Sequence, residues 1–411
     1  MTQGSIFKSI TDWFHPSSRN LTVALFLFAS VLLTFSLTFW RLGIPPKSQF
    51  DEIYYVPAAR DLLQNKADPN SVHPPLAKFL IAVSLAFFGD NPTTWRIPSV
   101  LACVMTVSFL FLLALELFGS PQLAFLTALF CLMDGFTFVH ARIGMLDMMM
   151  VGFLMPAIYF FTKKRYLLSG IFLGLSLACK WTGIFSFPFF ALLIWNDSGD
   201  WKTWRQLLLL VILPSILIYF VLFRLLAVEG TPPGKHFSFA GEVSHAKWIK
   251  KRHLSSLKFH FRSTMIHTYS TRWWKAILLI RPTWYYYLEA NGIVHGVIAL
   301  PNPFFWWPSL LAALLLIFKL SDPKARFIFF GSVVFACFWS ISTKGVFIFY
   351  FLPACPFLAL ALMYWVRNSK ILLASTFATV LTGFILFFPI YACWPITRAH
   401  FDKLMWLKTW I

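Results

Sequence analysis

Residues 21–40 read LTVALFLFASVLLTFSLTFW, a run without a single charge. A helix of about 20 residues is ~30 Å long, the thickness of a bilayer's hydrocarbon core. The run is too long for the apolar core of a secretory leader. It ends in Phe39-Trp40-Arg41 rather than in small residues, so it reads as an uncleaved first span. Similar apolar blocks follow at 97–118, 123–139, 146–162, 166–179, 183–195, 207–226, 304–318, 327–342, 347–366 and 372–391. A backbone crossing hydrocarbon must satisfy its own hydrogen bonds, and unbroken apolar blocks do so as helices. A β-barrel would instead show short alternating segments. The expected fold class is an all-α polytopic membrane protein of about eleven transmembrane helices, a count that rests on the general length of a span.

Composition agrees with that reading. Hydrophobic residues make up 58% of the 411 and charged residues 12%, against about 25% charge in a soluble domain. The formal net charge of +19 would suggest nucleic acid on a soluble protein. Here the charges lie in loops between apolar blocks, and no basic run is interleaved with aromatics. Membrane headgroups and anionic substrates are the expected partners, and nucleic acid is not. The six cysteines form no CxxC pair and fall mostly inside apolar blocks. They read as small hydrophobes, with neither a metal site nor a disulfide expected.

Positive charge in short loops sets the topology. Lys163-Lys164-Arg165, Lys202 with Arg205, Lys319 with Lys324 and Arg326, and Arg367 with Lys370 fall on one side of an eleven-span chain. That side is cytoplasmic by this rule, which leaves residues 43–96, 229–303 and 393–411 outside. The block at 76–89 is too short to span and is expected to lie on the outer face as an interfacial helix. The expected organisation is a seven-span catalytic module over 1–228, a basic outer loop over 229–303, and a four-span module over 304–411. The basic loop has only Glu229, Glu242 and Glu289 as acids. It needs an anionic neighbour, either headgroups or a phosphate-bearing substrate.

On this map the unusual polar residues converge on the outer side: Asp51, Glu52, His73, Lys78, Arg96, His140, Arg142, Asp147, Lys180 and Lys344. Ionisable groups near membrane depth are costly, which makes them functional candidates. Each also has a plainer reading. Asp51-Glu52 opens a helical stretch and suits a helix start, with Ser48 and Asp51 like a capping box. Equally, a carboxylate there could accept a hydroxyl proton. Arg96 and Arg142 either snorkel to headgroups or clamp a phosphate. Asp147, in an apolar setting, needs a cation, and Arg142 is the near candidate for a structural ion pair. His245, His253, His260 and His267 lack tight ligand spacing, so no tightly bound metal is expected.

Several stretches then occur in order: Phe50-Asp51-Glu52, His73-Pro74-Pro75-Leu76-Ala77-Lys78, Trp95-Arg96, Ala141-Arg142 through Leu146-Asp147, and Lys180-Trp181-Thr182-Gly183. The second half adds Ser270-Thr271-Arg272-Trp273-Trp274, Arg281-Pro282, Asn302-Pro303 with Trp306-Trp307, and Phe349-Tyr350-Phe351-Leu352-Pro353. Together they resemble the protein O-mannosyltransferases, membrane glycosyltransferases of the C-type fold. Ala77 stands where that family's HPPLGK has Gly, Ala141 replaces the Ser of SRxxxLD, and the YHYLP segment lacks its His. The eukaryotic members' large soluble domain is not legible, so the resemblance is to a bacterial type, in the cytoplasmic membrane with its site facing out.

The resemblance implies an inverting enzyme that moves a sugar, mannose in the family, from a polyprenyl-phosphate carrier to Ser/Thr hydroxyls of exported proteins. Asp51 would be the base, with Glu52 supporting sugar or acceptor. His73, Lys78, Arg96, Arg142 and Arg281 would hold the donor phosphate, and Asp147, Lys180 and Tyr350 would support. No cofactor is implied, since the lipid-linked sugar is itself a substrate. A sister branch acting on lipid A-type acceptors shares the acidic loop. A lipid-linked sugar transporter is the rival from another class, although transporters set their polar sites near the bilayer midplane.

Overall fold

A computed structural model describes residues 18–196, 199–226, 239–262, 267–341 and 345–411. Lys344 and residues 229–238 of the basic loop lie outside these, as do the side chains of Glu242, His245 and His260.

The chain is mostly helical, and each apolar block of the sequence is helical. The N-terminal part runs α1 (Ser18–Phe39), α2 (Glu52–Leu63), α3 (Leu76–Phe88), α4 (Ile97–Phe118), α5 (Pro121–Leu132), α6 (Gly135–His140), α7 (Leu146–Thr162), α8 (Tyr166–Cys179) and α9 (Ser186–Asn196). There follow α10 (Trp201–Gln206), a π-helical turn (Leu207–Ile212), α11 (Leu213–Leu226), α12 (Phe239–Arg262) and α13 (Trp273–Ile277). The C-terminal part holds α14 (Pro303–Leu315), α15 (Pro323–Cys337), α16 (Cys355–Val366), α17 (Lys370–Tyr391) and α18 (Arg398–Leu404). Among the described residues, 6 helices are long and apolar enough to cross a membrane; the remaining apolar helices are shorter.

Helix starts follow from local chemistry. Ser120-Pro121, Asn302-Pro303 and Asp322-Pro323 each place a side-chain acceptor at the N-cap and a proline in the first turn. The cap satisfies an orphan N–H, and proline needs none there. Between helices, small residues set the spacing. A Cβ on Gly170 would lie 2.6 Å from the Leu210 carbonyl oxygen, and one on Gly174 would lie 2.8 Å from that of Ser215. This Gly-xxx-Gly face lets α8 approach the π turn and α11 closely, as membrane helices require when no hydrophobic effect drives their pairing.

One expectation is corrected. The fold is not purely helical: β1 (Thr283–Ala290), β2 (Ile293–Ala299) and β3 (Ile396–Thr397) form an antiparallel sheet in the order β1-β2-β3. The hairpin is local in origin. Asn291 and Gly292 both take positive φ, 51° and 73°, as a two-residue turn between right-twisted strands requires. The flanking strands are rich in aromatic and β-branched residues. The short apolar block is helix α3, which packs against α2, α4, α7, α8 and α11, burying Leu76, Lys78, Ile81 and Leu85. Its apolar character therefore serves the bundle as well as any surface.

The sheet is tied down by the C-terminal tail. Trp410 is fully buried, donates from its indole to the Leu279 carbonyl at 2.6 Å, and accepts from the Trp284 indole on its own carbonyl at 2.6 Å. The two parts of the bundle meet at Asn302, whose amide donates to the carbonyls of Met133 (3.1 Å) and Val380 (2.9 Å) while its backbone N–H donates to Asp134 (2.8 Å).

Candidate active site

The loop before α2 delivers the acidic pair. Phe50 sits at φ 43°, a strained region for a bulky residue. Its ring is held by Tyr285 (5.0 Å between centroids), Phe349 (5.8 Å) and His267 (5.9 Å). The kink turns the two following carboxylates to different fates.

Glu52 points inward and is fully buried. It accepts from Arg96 Nε (2.8 Å) and Nη2 (3.0 Å), from the Gly144 N–H (2.7 Å) and from the Gln49 N–H (2.8 Å). Arg96 spends its remaining donors on the carbonyls of Leu42 (2.9 Å), Pro45 (2.9 Å) and Lys47 (3.2 Å). A guanidinium has five N–H donors, and all five are engaged here. The pair welds the acidic loop to the turn before α7.

Asp51 is different. It stands at the N-cap of α2 but makes no side-chain cap bond. Its carboxylate is half-buried and accepts from the Tyr55 hydroxyl at 3.2 Å, one helical turn on. Burial pushes its pKa up to about 6; Lys180 pulls it down, Asp147 raises it, and the Tyr55 hydrogen bond lowers it slightly. A carboxyl tuned that way is ionised at neutral pH and still basic enough to take a proton.

The neighbours of Asp51 come from distant segments. Lys180 donates to both oxygens of Asp147, at 2.8 and 2.9 Å. Asp147 thus finds its cation on the segment after α8, and not in Arg142. The Lys180 ammonium lies over the rings of Phe349 (5.1 Å) and Tyr350 (5.4 Å). His140 donates from Nδ1 to the Phe136 carbonyl (2.7 Å), which leaves Nε2 to accept from the Tyr285 hydroxyl (2.9 Å).

The five expected phosphate ligands are dispersed. Arg142 donates to the carbonyls of Thr38 (2.9 Å), Trp40 (2.5 Å) and Arg41 (3.2 Å), a cation on the negative C-terminal end of α1. Lys78 is fully buried and donates to Asp68, to the Asn70 carbonyl (2.6 Å) and to the His73 carbonyl (3.2 Å). Burial lowers its pKa to about 8 against the opposing pull of Asp68. The ring of His73 lies edge-on to Tyr55 at 6.0 Å. Arg281 is half-buried, donates to the carbonyls of Thr268 (3.1 Å) and Thr409 (3.1 Å), and covers the Tyr269 ring at 5.7 Å. Tyr269 packs on His267, which packs on Phe50. His73 thus touches the hydrogen-bond partner of Asp51, and Arg281 connects to Phe50 through Tyr269 and His267.

Asp68 escaped the sequence reading. It joins Lys78 to Arg252 of α12 (2.8 Å), and Arg252 also donates to the Ser71 carbonyl (3.2 Å). Nothing local in the sequence pairs residues so far apart. Tyr55 was legible in principle, since it lies four residues after Asp51 on a helix. Among the described residues, no group of three or more His, Cys, Asp or Glu side chains is arranged to hold a metal ion.

Similar folds are known. The chain superposes on the Saccharomyces cerevisiae protein O-mannosyltransferase Pmt1–Pmt2 complex bound to the sugar donor with a TM-score of 0.79, over 95% of this chain and 92% of that one, at 14% identity. ArnT from Cupriavidus metallidurans bound to undecaprenyl phosphate gives 0.64 over 88% and 62%, at 16% identity. These likenesses define a membrane protein of the C-type glycosyltransferase fold. In sequence, the chain is 24% identical to the polyprenol-phosphate-mannose–protein mannosyltransferase of Corynebacterium glutamicum, over 88% of each chain. It is 21% identical to the Mycobacterium tuberculosis protein of that name, over 88% of this chain and 86% of the relative. Two family models described as dolichyl-phosphate-mannose-protein mannosyltransferase match residues 28–100 and 72–224. In sequence and in fold the chain is thus similar to the dolichyl-phosphate-mannose-protein mannosyltransferases.

Proposed function

We propose that this chain transfers mannose from a polyprenyl-phosphate carrier to Ser/Thr hydroxyls of proteins, with inversion, and that Asp51 is the general base. The observation that carries the assignment is the divergence of the acidic pair: Glu52 is consumed by Arg96 and two backbone N–H groups, while Asp51 keeps a half-buried carboxylate with a raised pKa. Asp51 takes the acceptor hydroxyl proton as its oxygen bonds to the anomeric carbon. The bond from that carbon to the phosphate oxygen breaks, and the electron pair leaves on the polyprenyl phosphate. Fixed cations stabilise the growing charge there. His73, against Tyr55, and Arg281, linked to Phe50 through Tyr269 and His267, suit that role best. Arg96, Arg142 and Lys78 act as positioning residues, because their donors are spent inside the fold. Asp147, Lys180 and Tyr350 set the field beside the base.

The same reading places the chain across a bacterial cytoplasmic membrane in about eleven spans, a count taken from the general length of a span. The acidic loop faces outward, in a catalytic module over 1–228 joined by a basic segment over 229–303 to a second module over 304–411. The sidedness rests on the basic clusters around Lys163, Lys202, Lys324 and Arg367.

The test is purified enzyme with labelled polyprenyl-phosphate-mannose and either a Ser/Thr-rich peptide or a lipid A-type acceptor, wild type against Asp51→Asn. Transfer to peptide, lost in the variant, supports the proposal. Transfer to lipid alone overturns the acceptor, and full activity in Asp51→Asn overturns the base.

A further inference from the structure

The wall of the bundle formed by α1, α5 and α17 carries a groove that shares no residue with the surroundings of Asp51. It encloses about 610 Å³. Leu37 of α1 and Leu381 and Phe388 of α17 form its sides, and Leu129 of α5 with Met133 forms its floor. α5 packs against both flanking helices. Along α17 the groove runs from Phe377 to Phe388, about 16 Å at 1.5 Å per residue. It opens sideways, where Ile385 is 63% exposed, onto the surface the bilayer covers.

Polar chemistry sits at one end only. Trp40 and Trp394, just beyond the C-terminal ends of α1 and α17, stack at 5.6 Å. Both indoles line the groove, and tryptophans at helix ends mark headgroup depth. The Arg41 guanidinium lies over both rings, 5.4 Å from Trp40 and 4.9 Å from Trp394. Its backbone is pinned at φ 53°, with its carbonyl accepting from Arg142 (3.2 Å) and from the Ile44 N–H (3.0 Å). Arg142 and Arg96 lie nearby but are turned inward onto carbonyls and Glu52. Arg41 has no acidic partner among the described residues. An apolar channel, an interfacial tryptophan pair and one fixed outward cation match an acyl chain, a glycerol backbone and a phosphate in turn.

We propose that this groove is a binding site for one anionic glycerophospholipid, with an acyl chain between α1 and α17 and the phosphate on Arg41. A donor lipid lodged here would lie among residues that do not face Asp51, so the site is structural and separate from the donor's. The lipid bridges the first and last long helices, and it stabilises the bundle by covering an apolar seam that the protein leaves open.

The experiment uses the full chain in nanodiscs of phosphatidylcholine with or without phosphatidylglycerol. Retained lipid is read by native mass spectrometry and the thermal midpoint is followed alongside. Wild type should retain one phosphatidylglycerol and melt higher in its presence. Arg41→Gln should weaken that retention about fivefold, the value of one basic residue at a membrane surface. Leu381→Trp, which fills the groove, should abolish it while leaving Arg41 in place. Neither variant should change the KM for the donor. Equal phosphatidylglycerol retention in wild type and both variants would overturn the proposal. So would Arg41→Gln raising the donor KM with lipid retention unchanged, since that places the donor here. A variant that does not fold is replaced by Arg41→Lys, which keeps the charge but not the planar stacking and should fall between the two.

Discussion

Adjacent carboxylates separate their roles by what surrounds each. Asp51→Asn is expected to lower transfer about a hundredfold to ten-thousandfold, the usual worth of a general base. Its stability should move the other way. The folded protein holds the Asp51 pKa at about 6, above the ordinary 3.8, so ionisation weakens the fold. The Asn variant should melt at or above the wild-type temperature above pH 6, an advantage that fades as pH falls to 3.8. In wild type, kcat/KM should show an acid limb near pH 6. Lys180→Met should move that limb upward, because Lys180 favours the ionised form. A limb that stays in place would separate Lys180 from the base. Arg96→Ala leaves Glu52 charged and unpaired in the interior, at a cost of about 3–5 kcal/mol. Its signature is a lowered thermal midpoint with an unchanged donor KM in the folded fraction. A raised KM at unchanged midpoint would return Arg96 to the phosphate.

Helices here are placed by small contacts rather than by bulk hydrophobicity. Gly170 and Gly174 bring α8 against the π turn and α11. Gly174→Leu forces a branched side chain against the Ser215 carbonyl and Ile218, and should destabilise by roughly 1–3 kcal/mol. Its thermal midpoint in detergent should fall, whereas Leu167→Ala on the same helix, at a residue 52% exposed, should leave it within error. Equal effects would mean that the glycine face is not a packing seam. The hairpin of β1 and β2 was readable from Asn291-Gly292 between aromatic and β-branched runs. The all-helical expectation missed it because hydropathy ranks residues by polarity and ignores turn chemistry.

The whole molecule is closed by its end. Trp410 sits between Leu279 and Trp284, more than a hundred residues away along the chain, and joins the tail to the sheet. Trp410→Ala should cost about 3–5 kcal/mol. The loss should also loosen Arg281, which donates to the adjacent Thr409 carbonyl. A donor KM that rises in Trp410→Ala, alongside the lower midpoint, would tie the tail to the site; an unchanged KM would confine it to the fold.

The sequence by itself determined the membrane class, the positions of the apolar helices and the order of the motifs. Those depend on composition and on spacing along the chain, which a bilayer reads directly. Only the tertiary structure decided what each polar residue does. Asp51 and Glu52 are neighbours with the same chemistry, and what separates them is Arg96, 44 residues from Glu52, and the Gly144 N–H, 92 residues away. Asp147 likewise takes Lys180 in place of the nearer Arg142, and Lys78 donates to Asp68. A buried charge takes the partner the fold sets at hydrogen-bonding distance, and that distance is not written in sequence separation.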